Sequence, residues 1–383
     1  MKSGNKGVAC TLKGCNIISS SREFSPEYVL RSETFTADFY VCRESLFFFA
    51  DISYEGEAMV VVNVVILVIA FAALIKGADV FVEGSSALAR LFRISGVVIG
   101  LTVVAMGTSM PELAVSVSAA VQGSSEIALS NVVGSNIFNL LGVLGLCAVI
   151  KALPVDTVIL KRDFSVSAVS TAAVFTVSSA AGLFSKRFFN LDMGAVSGTV
   201  SRLSGIILVA AFIVYIVYLI FDARKHPCGE TGGIKHSLWK CLLLITIGLV
   251  LIIIGGKAVV DSARNIARFF GMSETLIGLT IVAVGTSLPE LVTSVVAAGK
   301  GEVALAAGNI LGSNIFNLLF ILGFSAVIHP VSVNTASVYD MFILIAVTVM
   351  TWIFSLSGRK ITRAEGWIML MCYAASTVFA VLR

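Results

Sequence analysis

The chain has 383 residues, of which 57% are hydrophobic and only 13% are charged, and its formal net charge is +4. Soluble domains carry about 25% charged residues, so this composition excludes an ordinary soluble enzyme, a nucleic-acid-binding protein and a disordered scaffold. Nearly charge-free stretches of bilayer-spanning length, such as residues 204–221, instead indicate an all-α polytopic membrane protein embedded in a lipid bilayer.

The first segment in chain order, residues 1–58, differs from the rest. It mixes glycine, serine and charged residues with one apolar patch at 46–50. That patch is too short to span a bilayer, and it lacks the order of basic, apolar and cleavage regions of a signal peptide. We expect residues 1–58 to be a poorly ordered or mis-annotated extension, with Met59 as a possible true start.

Ten apolar segments follow from Met59 onward, and each predicts a transmembrane helix. Their approximate bounds are 59–76 (with a possible continuation toward residue 90), 95–121, 126–150, 164–184, 204–221, 238–260, 272–299, 303–328, 338–356 and 364–382. Residues 222–237 form a polar connector between the fifth and sixth segments, so the chain divides into the five-helix units 59–221 and 238–383.

An internal repeat relates the two units. A shift of 178 residues aligns 94–150 with 272–328 without a gap, and 33 of these 57 positions are identical. GTSMPEL at 107–113 aligns with GTSLPEL at 285–291, and NVVGSNIFNLL at 131–141 aligns with NILGSNIFNLL at 309–319. Because five helices per repeat is an odd number, the second repeat enters the membrane in the opposite sense, as in many secondary transporters.

Lysine and arginine placement agrees with this inverted topology. With residue 59 outside, the loops on one side of the membrane hold 13 basic residues and those on the other side hold seven. The positive-inside rule makes the richer side, which includes the connector 222–237, cytoplasmic. We therefore expect a multi-pass protein of the plasma or inner membrane.

The candidate functional residues begin with Glu112 and Glu290, which occupy equivalent mid-span positions of the two repeats. An intramembrane carboxylate is costly and normally faces a cavity with a functional partner. A pseudo-twofold axis in the membrane plane would bring the two glutamates together, and facing carboxylates repel unless a cation or protons neutralise them. A shared proton or a helix–helix hydrogen bond is the purely structural interpretation.

Pro111 and Pro289 precede the two glutamates. Because proline has no N–H and clashes with the carbonyl four residues earlier, we expect freed carbonyls in the turns 105–108 and 283–286. Such backbone persists in a membrane only where it lines a cavity or binds something. The same turns carry hydroxyl groups on Thr108, Ser109, Thr286 and Ser287.

The second motif adds neutral oxygen atoms. Ser135 and Asn139 lie four residues apart, and therefore on one helix face; Ser313 and Asn317 repeat this arrangement. The remaining asparagines of the motif can equally well join helices by hydrogen bonds; they are Asn131, Asn136, Asn309 and Asn314. An all-oxygen set of this kind suits hard cations such as Ca²⁺, and no cofactor or oligomeric state is implied.

The paired GTSMPEL/GTSLPEL and GSNIFN motifs resemble the α-repeats of the cation/calcium exchanger superfamily, and above all its prokaryotic sodium/calcium exchangers. The resemblance covers residues 59–383. It implies ten helices in two inverted halves, with a central cluster of ion sites between the second, third, seventh and eighth helices. It also implies that the first and sixth helices slide to switch access.

The resemblance further implies a role for each site residue. Glu112 and Glu290 would bind Ca²⁺ together with backbone oxygens of Thr108 and Thr286. Na⁺ would use the same glutamates, hydroxyl groups of the motif serines and two backbone carbonyls, while two asparagines would flank the centre. The residues concerned are Ser109, Ser135, Ser287, Ser313, Ala105, Ala283, Asn139 and Asn317. Some relatives carry aspartate at the position of Asn317, so this site holds one charge fewer, which still balances one Ca²⁺.

Several functions remain open at this point. The leading interpretation is a Na⁺/Ca²⁺ antiporter, and the alternatives on the same fold are a proton-coupled or a potassium-dependent exchanger. A cation channel fits poorly, since channels arrange their oxygen rings about a pore axis. An intramembrane hydrolase using Ser109 or Ser287 lacks a histidine or lysine in those spans to activate the serine, so we expect no enzymatic activity.

Overall fold

The computed structural model describes residues 11–12, 15–16, 37–155, 159–183, 196–226, 237–272, 281 and 283–382. Side chains are described from Met59 onward, except those of residues 125, 160, 179–183, 196–197 and 283. It divides into two units, Met1–Glu55 and Gly56–Arg383. In the first unit, strands β1 (Thr11–Leu12) and β2 (Cys15–Asn16) pair antiparallel. Most of the extension 1–58, of the connector 222–237 and of the start of the span 272–299 lies outside the described residues.

The described residues are largely helical. The α-helices are α1 (Ala37–Phe92), α2 (Gly96–Ile99), α3 (Ala105–Thr108), α4 (Met110–Val121), α5 (Ser125–Phe138), α6 (Leu144–Ile150), α7 (Phe164–Leu183), α8 (Arg202–Lys225), α9 (Leu238–Phe269), α10 (Ala283–Thr286), α11 (Leu288–Gly299), α12 (Val303–Ile315), α13 (Leu322–Ile328), α14 (Thr335–Leu356) and α15 (Arg363–Leu382). Wider π-helical turns occur at Gly100–Val104, Asn139–Val143, Ile159–Asp163 and Phe316–Ile321.

Seven helical segments of the described part are long and apolar enough to cross a membrane. The pair Gly96–Thr108 and Met110–Val121, which bends by 50°, forms an eighth candidate. The predicted fold class, a helical polytopic membrane protein, is confirmed. The spans 164–184 and 204–221 correspond to the separate helices α7 and α8, while the total of ten spans stays a prediction.

Two spans differ from their predicted shape. The first helix begins at Ala37, before the predicted start at residue 59, and it ends at Phe92, in agreement with the possible continuation toward residue 90. The sixth continues to Phe269, beyond its predicted end at residue 260. Both extensions carry charged residues, which the hydropathy pattern assigned to loops. A helix tolerates such residues where its end projects beyond the hydrocarbon layer, because their side chains reach water.

Small residues allow close helix contacts. A β-carbon on Gly308 of α12 would lie 2.5 Å from the carbonyl oxygen of Val97 in α2, and one on Gly248 of α9 would lie 2.6 Å from the backbone of Phe81 in α1. Since no real side chain fits such a gap, glycine is what lets these backbones touch, as is usual for helices in membranes. Helix α12 thereby packs against the α2 segment, and α9 packs against α1.

Short strand pairs join distant connections. Strand β3 (Leu153–Pro154) pairs antiparallel with β6 (Lys360–Ile361), and β4 (Val196–Val200) pairs with β5 (Val331–Asn334). Each pair ties a connection of the first repeat to one of the second.

Candidate cation-binding site

Two broken helices carry the candidate carboxylates to the interior. Helices α3 and α4 are separated at Ser109, and α10 and α11 are separated at Ser287. In both cases the proline lies at the start of the second helix, where its missing N–H has no helical partner to lose. Each glutamate therefore lies in the first turn of a helix that begins inside the protein, and both are fully buried.

The two repeats exchange hydrogen bonds at these breaks. Ser109 Oγ donates to Glu290 Oε1 at 2.7 Å, and Ser287 Oγ donates to Glu112 Oε1 at 2.8 Å. Each serine thus contacts the glutamate of the other repeat, so the reciprocal pattern follows the 178-residue shift. Glu112 and Glu290, which are 178 residues apart in sequence, therefore lie at the same pair of helix breaks.

Neither carboxylate has a positively charged partner within the described part of the chain. A buried ionised carboxylate without a counter-charge is destabilising by several kcal/mol, and two neighbouring ones also repel each other. The arrangement therefore favours an added positive charge, either a metal cation or a proton.

Four asparagines lie across the centre from one another. Asn139 Nδ2 donates to Asn314 Oδ1 at 3.1 Å, and Asn317 Nδ2 donates to Asn136 Oδ1 at 3.0 Å. Asn136 and Asn314 also donate to each other's backbone carbonyl, at 3.1 and 3.3 Å. The amide nitrogens are thereby engaged between helices, which leaves the Oδ1 atoms of Asn139 and Asn317 buried and without a partner.

The π-helical turns position two of these asparagines. Asn139 begins one such turn, and Asn317 lies in the equivalent turn Phe316–Ile321 of the second repeat. A π-turn inserts extra backbone into the helix and rotates the following side chains, and it is frequent at functional sites. The sequence pattern of apolar and polar residues carries no signal for it.

Six buried side-chain oxygens of the predicted site residues have no hydrogen-bond partner. They are Glu112 Oε2, Glu290 Oε2, Asn139 Oδ1, Asn317 Oδ1, Ser313 Oγ and Thr286 Oγ1. Unpaired buried oxygens are rare in folded proteins, and Ca²⁺ takes six to eight oxygen ligands. The donor set is chemically suited to a hard cation.

The structure also places the other predicted site residues. Ser135 is buried and lines a cavity described below, while Thr108 Oγ1 donates to Asn309 Oδ1 at 3.2 Å. The Ala105 carbonyl was expected to be freed by Pro111 but accepts a hydrogen bond from Ser109 N at 3.1 Å. This is the ordinary helical hydrogen bond to the residue four positions earlier, whereas the N–H that Pro111 lacks would have reached Gly107. Ala283 begins α10.

Ser116 and Ser294, which are not among the predicted site residues, orient Asn131 and Asn309. Ser116 Oγ accepts from Asn131 Nδ2 at 2.9 Å, and Ser294 Oγ accepts from Asn309 Nδ2 at 2.9 Å. Ser116 and Ser294 are equivalent under the 178-residue shift and lie four residues after the glutamates, a spacing that could have identified them. Asn131 and Asn309 therefore join helices.

Two cavities approach the site. One of about 540 Å³ is lined by Glu126, Asn131, Ser135 and Thr286 and by the C-terminal end of α15. A second of about 870 Å³ lies between α4 and α9 and also reaches Thr286. Both cavities therefore border the turn around Thr286.

A polytopic helical protein with buried, uncompensated carboxylates and unpaired oxygens at its centre belongs to the class of membrane cation transporters. The family model described as "Sodium/calcium exchanger protein" matches residues 62–221 and 240–382. The chain belongs to this family, within the cation/calcium exchanger superfamily, and is a cation/calcium exchange antiporter. The predicted family is confirmed.

Named relatives span almost the whole transporter. The putative antiporter CaxA of Alkalimonas amylolytica is 36% identical over 327 residues, which cover 82% of this chain and 97% of CaxA. The sodium/calcium exchanger MaX1 of Methanosarcina acetivorans is 32% identical over 350 residues, which cover 84% and 99%. Both are named as transporters.

A solved structure has the same fold. The sodium-calcium exchanger NCX_Mj, soaked with zero Na⁺ and Ca²⁺, superposes with a TM-score of 0.70 and is 30% identical, covering 85% of this chain and 100% of NCX_Mj. The uncovered part of this chain is comparable in length to the extension before Met59.

Proposed function

We propose that this protein exchanges Na⁺ for Ca²⁺ across the cell membrane by alternating access to one central site. The observation that carries the proposal is the set of six unpaired buried oxygens, two of them on carboxylates. Two negative charges balance one Ca²⁺ or a group of Na⁺ ions, but not both together. Competition for one site is what an antiporter requires.

Within this site, Glu112 and Glu290 supply the charge for either ion. Backbone oxygens of Thr108 and Thr286 complete the Ca²⁺ site. Neutral ligands for Na⁺ come from Ser109, Ser135, Ser287, Ser313, Ala105 and Ala283, with Asn139 and Asn317 at the centre. Support comes from the buried Oδ1 atoms of both asparagines and from the reciprocal serine–glutamate hydrogen bonds.

Sodium is the proposed counter-ion because the site holds more neutral oxygen than proton exchange needs. A proton requires only a carboxylate, whereas a dehydrated Na⁺ needs a shell of oxygen ligands. The relative MaX1 is named a sodium/calcium exchanger, which agrees. The chain catalyses no chemical reaction in this proposal.

The decisive experiment is ⁴⁵Ca²⁺ uptake into proteoliposomes loaded with Na⁺, with K⁺, or with an acidic sodium-free solution. Uptake that needs internal Na⁺ and responds to membrane potential supports electrogenic exchange. Uptake with the acidic interior alone would overturn the sodium coupling and move the protein to proton-coupled exchange.

A further inference from the structure

Ion pairs join the C-terminal half of α1 to the turn between α11 and α12. Lys300 Nζ lies 2.5 Å from Asp79 Oδ1 and also donates to the Asp79 carbonyl at 2.8 Å. Lys76 Nζ contacts the other carboxylate oxygen of Asp79 at 2.7 Å. Farther along α1, Arg90 NH1 lies 3.2 Å from Glu302 Oε1. We call the pairs Asp79–Lys300 and Arg90–Glu302 the latch.

The latch and the access cavity lie at opposite membrane faces. A β-carbon on Gly301, between the two latch residues of the turn, would lie 3.9 Å from Lys151 Nζ, so the turn is at the face where α6 ends. The 540 Å³ cavity is lined instead by Glu126, at the other end of the α5–α6 span, and by Val381. The two ion pairs therefore join the bundle at the latch face, whereas the cavity lies at the opposite face.

The equivalent positions of the other repeat carry no such pairs. Under the 178-residue shift, Asp79 corresponds to Lys257 and Lys300 to Gln122, so a carboxylate–ammonium pair becomes an ammonium and an amide. Likewise, Arg90 corresponds to Arg268 and Glu302 to Ser124, and arginine forms no ion pair with serine. The two latch pairs therefore have no counterpart between the equivalent residues of the other repeat.

We propose that the latch stabilises the conformation closed at its own face and so makes ion access unequal between the two faces. The inference rests on the alternating-access function proposed above. Helix α1 packs tightly on α9, so the two helices would move together. In the proposed transition, opening at the latch face moves this pair away from the Lys300–Glu302 turn and breaks both ion pairs. Opening at the cavity face leaves them intact.

The expected effect is modest because the latch residues are partly exposed, with side-chain exposures of 33–42%. Exposed ion pairs contribute little individually. Two of them shift a two-state equilibrium by roughly three- to tenfold, and apparent affinity at each face scales with the population open to that face. High salt should reduce the effect by screening.

The test variant combines Lys300→Gln with Glu302→Ser, which are the residues that the first repeat carries at the equivalent positions 122 and 124. Half-saturating Ca²⁺ concentrations are measured at each face in inside-out and right-side-out vesicles. We expect the half-saturating Ca²⁺ concentration at the latch face to fall about three- to tenfold relative to that at the cavity face. An unchanged ratio, or an equal change at both faces, overturns the proposal.

A charge swap separates ion pairing from other effects. Arg90→Glu alone should shift the ratio like the turn replacement, and Arg90→Glu with Glu302→Arg should return it to within about twofold of wild type, because attraction between the partners is restored. A double variant that behaves like the single one contradicts the latch.

A readout without transport keeps this proposal distinct from the proposed function. Ile127→Cys places a thiol in the cavity lining, and its reaction with a membrane-impermeant maleimide reports how often the cavity face is open. Disrupting the latch should slow this reaction. A slower reaction in a protein that exchanges no Ca²⁺ supports the latch and overturns the proposed function. Ca²⁺ exchange with an unchanged labelling rate supports the proposed function and overturns the latch.

Discussion

Replacing Glu112 by glutamine tests the site most directly. The substitution keeps the shape of the side chain and its ability to accept the hydrogen bond from Ser287 Oγ. It replaces the unpaired Oε2 atom with an NH₂ group whose hydrogens would face the cation. One of the two negative charges is lost at the same time.

The magnitude follows from burial. Removing one partner of a fully buried charge pair costs about 3–5 kcal/mol, and each 1.4 kcal/mol is about tenfold in affinity. We therefore expect Glu112→Gln to weaken Ca²⁺ binding by about two to four orders of magnitude and to abolish exchange. Glu290→Gln should act alike, since its contacts are reciprocal.

Stability should change in the opposite direction. Without ions, the two carboxylates have no positive partner and repel each other, so neutralising one should raise the Tm of the ion-free protein by a few degrees in alkaline buffer. The rise in Tm on adding Ca²⁺ to wild type should disappear in the variant, because a ligand stabilises only the state that it binds.

The assay pairs ⁴⁵Ca²⁺ exchange with thermal unfolding at several Ca²⁺ concentrations. Glu365→Gln is the matched control: Glu365 accepts from the backbone N–H of Thr362 at the start of α15, and glutamine can keep that contact. Normal Ca²⁺ uptake by Glu112→Gln or Glu290→Gln in correctly inserted protein would refute the proposed site.

Three further outcomes are expected. Ser287→Ala removes a hydrogen bond to Glu112 and, in the proposed site, a Na⁺ ligand, so the half-saturating Na⁺ concentration should rise about three- to thirtyfold; an unchanged value in flux assays would remove this hydroxyl from the site. Gly308→Val places a side chain where α12 touches the Val97 carbonyl and should lower stability by at least about 2 kcal/mol. Thermal unfolding checks this against Gly134→Ala, where a β-carbon meets nothing within 4 Å; equal Tm values would contradict the close packing. A chain beginning at Met59 should insert and exchange Ca²⁺ like the full chain, and loss of ⁴⁵Ca²⁺ exchange would show that residues 1–58 contribute.

The membrane class and the candidate residues could be predicted from the sequence. Nearly charge-free runs of about 20 apolar residues indicate membrane spans whatever the tertiary packing, and a carboxylate in such a run indicates a function. The 178-residue repeat then placed Glu112 and Glu290 in equivalent surroundings, and the structure brings each to a serine of the other repeat.

The limits of the helices were less predictable. Helices α1 and α9 continue through charged segments, because hydropathy reports where lipid ends and not where backbone hydrogen bonding ends. The π-turns at Asn139 and Phe316–Ile321 were missed for a related reason. They depend on how neighbouring helices pack and not on local residue preference.

The sequence by itself determined that the protein lies in a membrane, that it contains an internal repeat and which oxygen-bearing side chains the candidate site can use, since these depend on residue type and spacing. Only the tertiary structure decided which of those oxygens stay unpaired. Asn131 and Asn309 are engaged with serines, whereas Asn139 and Asn317 keep buried, free Oδ1 atoms. That difference depends on the helix that each amide faces, and pairing between helices is a property of packing in three dimensions.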